Sequence, residues 1–110
     1  MKVTAKKTWL RALRGNSPNG EYDQCTGNMH EKYYEGGDAF CCLGVLRNET
    51  GGFDQNNECN NAYVDYETQL IPDELERFGI TKGQMDKLIV LNDTRRYNFE
   101  SIADWIEKNL

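Results

Sequence analysis

One apolar segment near the middle of the chain constrains the fold more than any other feature. Residues 38–47 form the most apolar stretch of the 110-residue sequence. Asp38 is a good N-cap and about ten residues precede the next glycine pair, so we predict a helix from Asp38, although Phe40 to Leu46 would also fit a buried strand. Apolar residues on every side of this element predict a central position in the core. Gly44 costs about 1 kcal/mol in a helix relative to alanine, which indicates a close approach to another backbone there.

Helical spacing of apolar residues predicts four more helices, over residues 4–14, 72–78, 82–91 and 99–110. Several have end signals. Thr4 and Asn98 are suitable N-caps, and Thr81 with Gln84 has the spacing of a capping box. Pro72 suits a first helical position, and Gly79 suits the residue after a helix end.

Strand signals are weaker and lie in two places. Residues 21–35 alternate around Gly27-Asn28 and predict a β-hairpin, and residues 63–68 predict a short strand that joins it. Residues 48–62 read as a surface loop. We therefore expect an α+β fold in a single domain over residues 1–110, with about five helices and a small antiparallel sheet made of a hairpin and one strand.

The charge distribution argues against nucleic acid as a partner, and the lack of a long apolar stretch argues against a membrane. Residues 1–14 contain five basic residues and no acid, whereas the other 96 residues contain eight basic and 18 acidic residues and carry −10. An acidic body disfavours general nucleic-acid binding, although an acidic surface that imitates DNA stays open. No stretch approaches the roughly 20 apolar residues that span a bilayer, and no export signal is evident at the start. We expect no membrane association and a cytoplasmic protein.

Four cysteines invite three interpretations. Without an export signal, disulfides are not expected. A zinc site can be written from Cys25, His30, Cys41 and Cys59, but the spacing is unlike that of zinc fingers and knuckles. Reduced, mostly buried thiols explain the pattern better, so we predict no metal and no cofactor.

Cys41 is a weak candidate for a nucleophile. It follows Asp38 by three residues, so its thiol would lie near a helix N-terminus, where the helix dipole stabilises a thiolate. His30 could serve as the base, with Asn92 or Asp93 orienting it. Burial beside apolar neighbours would instead raise the pKa of the Cys41 thiol, and we favour that interpretation.

Asn92, Asp93 and Arg95 are candidates for ligand binding. Asp93 can accept hydrogen bonds, and an arginine can bind a phosphate or carboxylate through two hydrogen bonds. An asparagine at a helix end and an aspartate in a turn are also ordinary structural features. The structural interpretation is the more favoured of the two.

Tyrosines supply a second set of candidate contact residues. In one small sheet, alternate tyrosines such as Tyr22, Tyr33 and Tyr66 would share a face and could bind a partner or a flat ligand. Alternatively, their rings cover the helices.

The order of several short motifs resembles a family of small uncharacterised proteins from bacteriophages and prophages. The residues that carry the resemblance are Trp9-Leu10, Ala12-Leu13-Arg14, Tyr22, Gln24, the run Phe40-Cys41-Cys42-Leu43-Gly44-Val45-Leu46, Leu70-Ile71-Pro72, Phe78-Gly79-Ile80, Leu91-Asn92-Asp93, Phe99, Ile102-Ala103-Asp104 and Ile106-Glu107. The resemblance implies viral origin and action in the host cytoplasm. It carries over no catalytic residue.

These features together predict a viral accessory protein that binds rather than catalyses. Its partner would be a host protein, or a small polar ligand such as a host metabolite or signalling nucleotide, with a possible counter-defence role. Two alternatives stay open, namely a hydrolase that uses Cys41 and a structural component of the virion or its assembly.

Overall fold

The computed structural model describes residues 1–32, 37–51, 68–94 and 97–110. These ranges contain five helices and three short strands. The elements in chain order are α1 (Val3–Leu13), β1 (Asp23–Gln24), β2 (His30–Lys32), β3 (Asp38–Phe40), α2 (Cys42–Glu49), α3 (Pro72–Phe78), α4 (Lys82–Asp93) and α5 (Phe99–Asn109). The expected α+β class with five helices is confirmed. No helix in these ranges is long and apolar enough to cross a membrane.

Helix α2 is the centre of the core, as the apolar segment predicts. Five consecutive residues at its start, from Cys42 to Leu46, are buried, and α1 and α4 pack against it. Trp9 of α1 is fully buried, and its indole Nε1 donates to the Cys42 carbonyl over 2.8 Å. Gly44 lies against the Met29 backbone so closely that a Cβ there would overlap the Met29 carbonyl oxygen. The close approach expected at Gly44 is therefore present.

The apolar segment forms two elements rather than one helix. Asp38–Phe40 is strand β3, and the helix begins only at Cys42, so the expected helix start at Asp38 is wrong. The N-cap is Cys41, whose sulfur accepts from the Gly44 N–H at 3.4 Å. The strand alternative, which covered Phe40 to Leu46, is correct only at Phe40, the last residue of β3. Ala39 and Phe40 are buried and fit the centre of a sheet.

Strand order corrects the predicted hairpin. The sheet has the order β1-β3-β2, in which β3 is parallel to β1 and antiparallel to β2. Gln24 and His30 both align with Phe40, so β1 and β2 flank β3 instead of pairing with each other. The most apolar strand, β3, occupies the centre of the sheet, and the two polar strands lie at its edges. Because β1 and β2 run in opposite directions on either side of β3, the sheet is mixed. The strand predicted over residues 63–68 falls largely outside the described residues.

Most helix-end signals act as predicted. Thr81 and Gln84 form a reciprocal capping box, and the Asn98 side chain accepts from the Ser101 N–H at 2.8 Å. Gly79 ends α3 with a φ of 72°. Besides Asp38, the exception is Thr4, which lies inside α1 because that helix begins at Val3.

A buried ion pair joins α2 to α3. Arg47 is fully buried, and its Nε donates to Glu74 Oε2 over 2.8 Å. The Arg47 guanidinium also donates to the Gln69 carbonyl at 3.1 Å, and Glu74 Oε1 accepts from the Ile71 N–H at 3.0 Å. The pair therefore holds the start of α3 against α2.

Two basic residues of the segment 1–14 contact helix α5. Arg14 Nη2 lies 3.0 Å from Asp104 Oδ1 on α5 and also pairs with Glu107. Lys6 Nζ donates to the Glu107 carbonyl at 3.2 Å. The hydrogen bond from Arg14 to Glu107 is the main reason that the pKa of Arg14 is raised.

Candidate functional site

Asn92 joins three separate parts of the chain. It lies in the last turn of α4 and is 1% exposed. Its Oδ1 accepts from the Cys42 N–H at 3.1 Å and from Gln24 Nε2 at 3.1 Å. Its Nδ2 donates to the Cys25 carbonyl at 2.8 Å and to Asp93 Oδ1 at 3.2 Å. A carboxamide has two acceptor and two donor positions, and Asn92 uses all four within the protein.

Asp93 extends this network to the loop between β1 and β2. Its Oδ1 accepts from the Gly27 N–H at 3.0 Å, and the residue is exposed. The loop is further closed by the Cys25 thiol, which donates to the Asn28 carbonyl at 3.3 Å. Asn92 and Asp93 therefore hold the loop and the start of α2 in fixed positions. This matches the structural interpretation of the two residues.

A small pocket lies at this junction. It has a volume of about 140 Å³ and is lined mainly by Cys41, Cys42, Leu43, Ile89, Asn92 and Asp93. Gly27, Asn28 and Thr68 complete the described lining. We call it the thiol pocket. It brings together Cys41, Asn92 and Asp93, three residues that the sequence singled out separately.

The thiols at this junction are protonated at neutral pH. Burial raises the pKa of Cys41 to about 11, outweighing the hydrogen bond from the Gly44 N–H, which acts in the opposite direction. Burial also raises the pKa of Cys25 to about 12 and that of Cys42 well above its ordinary value. All three are free cysteines. Reduced, buried thiols are thus confirmed for these positions, while Cys59 lies outside the described residues.

His30 lies on the sheet, away from the thiol pocket lining. Its Nε2 is 2.8 Å from Asp38 Oδ1, and its ring is stacked near Phe40 with centroids 4.7 Å apart. The Cys41 sulfur instead accepts from the Gly44 N–H. His30 therefore contacts Asp38 and Phe40 and is not part of the described pocket lining.

Tyr22 is the one candidate tyrosine within the described residues. It is partly buried, with its ring edge-to-face against Phe40 at 5.1 Å, and its hydroxyl accepts from Asn48 Nδ2 at 2.8 Å. Burial raises the pKa of Tyr22. It lines a different cleft from the thiol pocket. Tyr33, Tyr66 and Arg95 lie outside the described residues.

A polar cleft opens on the other side of Asn92. It has a volume of about 420 Å³, and its lining includes Gln24, Thr26, Glu31, Tyr97 and Asn98. Gln24 Nε2 crosses from β1 to the Tyr97 carbonyl at 3.0 Å as well as to Asn92. Sequence reasoning did not select Gln24 as a site residue, although it belongs to the residues that carry the family resemblance. Leu43 and Ile89 were also missed as pocket residues, because apolar periodicity marks them only as core.

No group of three or more His, Cys, Asp and Glu side chains suited to a metal ion occurs within residues 1–32, 37–51, 68–94 and 97–110.

Comparison with known proteins identifies a family. No curated protein and no solved structure matches the chain. A family model described as a domain of unknown function, DUF8296, matches residues 1–75. The matched part includes α1, the sheet and α2, whereas Asn92 and Asp93 lie beyond it. Because the match covers more than half of the sequence, the chain belongs to the DUF8296 family.

Proposed function

We propose that this chain is a phage-encoded accessory protein that acts in the host cytoplasm by binding a small host metabolite or signalling nucleotide in the thiol pocket. The viral origin and the cellular location rest on the sequence resemblance. The binding site rests on one structural observation, which is that two segments 50 residues apart in the chain meet to line a single pocket. Residues 41–43 supply one side of it, and residues 89–93 supply the other.

Binding is favoured over catalysis by the state of the thiol. A cysteine nucleophile reacts as the thiolate, and a pKa of about 11 leaves the Cys41 thiol protonated at neutral pH. The Asn92 carboxamide also has no free hydrogen-bonding position with which to orient a base. The pocket therefore has the shape to hold a ligand but lacks an activated attacking group.

A small ligand is favoured over a host protein by the exposed surface. Stable protein interfaces bury roughly 800 Å² on each partner and contain apolar or aromatic anchors. Among the described residues, only Val3 and Val90 are large hydrophobic residues classed as exposed. They lie on α1 and α4, outside the pocket lining. The described surface thus lacks a contiguous apolar patch around the pocket.

Native mass spectrometry tests the proposal directly. The purified protein is mixed with the low-molecular-weight fraction of a bacterial extract, desalted and measured for a discrete mass increment. Two variants on neighbouring residues of α4 form a matched pair. Ile89→Phe places a larger side chain in the pocket, whereas Val90→Phe adds the same ring to a side chain that is 54% exposed.

We expect the increment in the native protein and in Val90→Phe, and its loss in Ile89→Phe. Circular dichroism establishes that both variants are folded. Absence of any increment, or an equal increment in Ile89→Phe, contradicts the proposal. A parallel pull-down from the unfractionated extract that retains a host polypeptide, with no small-molecule increment, favours the host-protein alternative.

A further inference from the structure

We infer that the thiol pocket accepts one six-membered aromatic ring that carries an amino group, and that the Asp93 carboxylate accepts a hydrogen bond from that group. This inference rests on the proposed function, because it assigns a chemical class to the ligand of the same pocket.

The size of the pocket fits a single ring. An engineered cavity of about 150 Å³ with apolar walls binds benzene, and the thiol pocket has a volume of about 140 Å³. A fused two-ring system or a sugar would therefore have to extend beyond the pocket. The occupant is a monocyclic compound, or a larger one that inserts a single ring.

The walls favour an aromatic ring over a polar group. Leu43 and Ile89 are aliphatic, and the neutral thiols of Cys41 and Cys42 are polarisable. Sulfur makes favourable contacts with aromatic rings. Asn92 also lines the pocket, but its four hydrogen-bonding positions are occupied by the protein. The amide therefore offers a ligand no strong polar contact.

Asp93 is the only charged residue of the described lining and sets the polarity of the ligand. Both of its described hydrogen bonds, from Gly27 and from Asn92, fall on Oδ1. An ionised carboxylate has about four acceptor positions, so Oδ2 can accept from a ligand. An amino group donates to that oxygen, whereas a carbonyl or an anionic group at the same position is repelled. The rim thus selects an amino substituent on the ring.

Cytosine and uracil provide a matched pair of probes. They share a six-membered ring and differ at position 4, where cytosine has an amino group and uracil a carbonyl, and at the neighbouring N3, which carries a hydrogen only in uracil. Each is titrated into ¹⁵N-labelled protein, and the amide signals of Gly27, Leu43 and Ile89 are followed by NMR. We expect saturable shifts with cytosine and at least tenfold weaker affinity for uracil. Cytidine is a third probe, and equal binding of cytidine indicates that the natural ligand inserts the base of a nucleoside or nucleotide.

Two variants isolate the carboxylate. Asp93→Asn keeps an oxygen that accepts from Gly27 and Asn92 but places an amide N–H₂ at the rim, so we expect the preference for cytosine to vanish or reverse. Asp86→Asn removes a carboxylate from an exposed position of the same helix, where Asp86 pairs with Lys82, and we expect it to leave the preference unchanged.

Three results overturn the inference: equal binding of cytosine and uracil by the native protein, an unchanged preference in Asp93→Asn, or no shift of the pocket signals at 20 mM of either base. If the extract experiment still yields an increment that Ile89→Phe removes, only the ring assignment fails. If that increment is also absent, the proposed function fails with it.

Discussion

The side-chain oxygen of Asn92 accepts the backbone N–H of Cys42 at 3.1 Å, across 50 residues of chain. Cys42 is the first residue of α2, and a helix leaves its first N–H groups without partners inside the helix. A side chain from α4 therefore supplies an acceptor that the neighbouring sequence does not. The same amide donates to the Cys25 carbonyl, so the start of α2, the end of β1 and the end of α4 depend on one residue.

Removal of the Asn92 amide is expected to destabilise the protein strongly. Asn92→Ala leaves the buried N–H of Cys42 and the carbonyl of Cys25 without this partner, and an unsatisfied buried group costs about 1 to 3 kcal/mol. We predict a loss of about 2 to 4 kcal/mol in the free energy of unfolding, measured by urea denaturation. Asn109→Ala removes an exposed amide and should change stability by less than about 0.5 kcal/mol. Equal effects of the two variants on the free energy of unfolding would contradict the stabilising role of the Asn92 hydrogen bonds.

Two glycines in helices should respond in opposite directions to alanine. A Cβ at Gly44 would overlap the Met29 carbonyl oxygen and lie 2.8 Å from the carbonyl carbon, and a backbone atom cannot move aside cheaply. We predict that Gly44→Ala lowers the free energy of unfolding by about 3 kcal/mol or more, or prevents folding. This is at or above the upper end of the usual cost of overpacking a core.

Gly83→Ala is the control, because a Cβ at that position has no described atom within 4 Å beyond its chain neighbours and the backbone of its own helix. Alanine is favoured over glycine in a helix, so this variant should gain up to about 1 kcal/mol. Thermal unfolding followed by circular dichroism measures both variants. A neutral Gly44→Ala would mean that α2 does not lie against Met29.

Breaking the buried ion pair should cost more than removing it. Arg47→Met leaves Glu74 buried without this cation, and loss of one partner of such a pair costs about 3 to 5 kcal/mol. Adding Glu74→Gln to Arg47→Met removes the uncompensated charge and should recover at least about 1 kcal/mol. Urea denaturation of the two single variants and the double variant gives the interaction energy. Additive losses would contradict the assignment of a direct buried pair.

Alkaline pH should destabilise the protein through its thiols. Their pKa values are raised in the folded state, to about 12 for Cys25 and about 11 for Cys41, so the unfolded chain loses these protons first. The stabilisation is fully present below the ordinary thiol pKa and is lost as pH rises toward the folded value. We expect stability to fall above about pH 9, by up to about 1.4 kcal/mol per pH unit for each thiol.

Cys25→Ala tests this origin of the pH dependence. Removal of one thiol should reduce the slope between pH 9 and pH 10.5 by the contribution of one group, while the Tyr22 hydroxyl, whose pKa is also raised, still contributes. Denaturation midpoints across this range give the slopes.

In the native protein at pH 7.5, iodoacetamide should label Cys25, Cys41 and Cys42 far more slowly than in urea. Rapid labelling of Cys41 would support the hydrolase alternative.

The helices follow from local sequence. Periodic apolar residues mark the buried faces, and the capping signals at Thr81, Asn98 and Gly79 act over a few residues, so each can be read without the rest of the chain. The central position of α2 could be predicted for the same reason, because apolar residues on all sides leave no face for solvent. Thr4 failed as a cap since helix ends commonly extend by one or two residues.

The sheet and the site were decided by contacts between distant residues. Alternation at residues 21–35 indicates extended backbone but does not specify its partner, and the turn at Gly27-Asn28 suggested the wrong one. Phe40 lies between Gln24 and His30 because the central strand of a sheet buries both its ring and its backbone best. The roles of Asn92 and Asp93 depend likewise on the Cys42 and Gly27 N–H groups, which no local pattern connects to them.

The sequence by itself thus determined which segments are helical and which of them is buried, since those properties depend on neighbours within one or two turns. Tertiary structure alone decided the pairing of the strands and the meeting of residues 41–43 with residues 89–93. Hydrogen-bond partners and desolvation depend on distance in space, which a linear pattern does not encode.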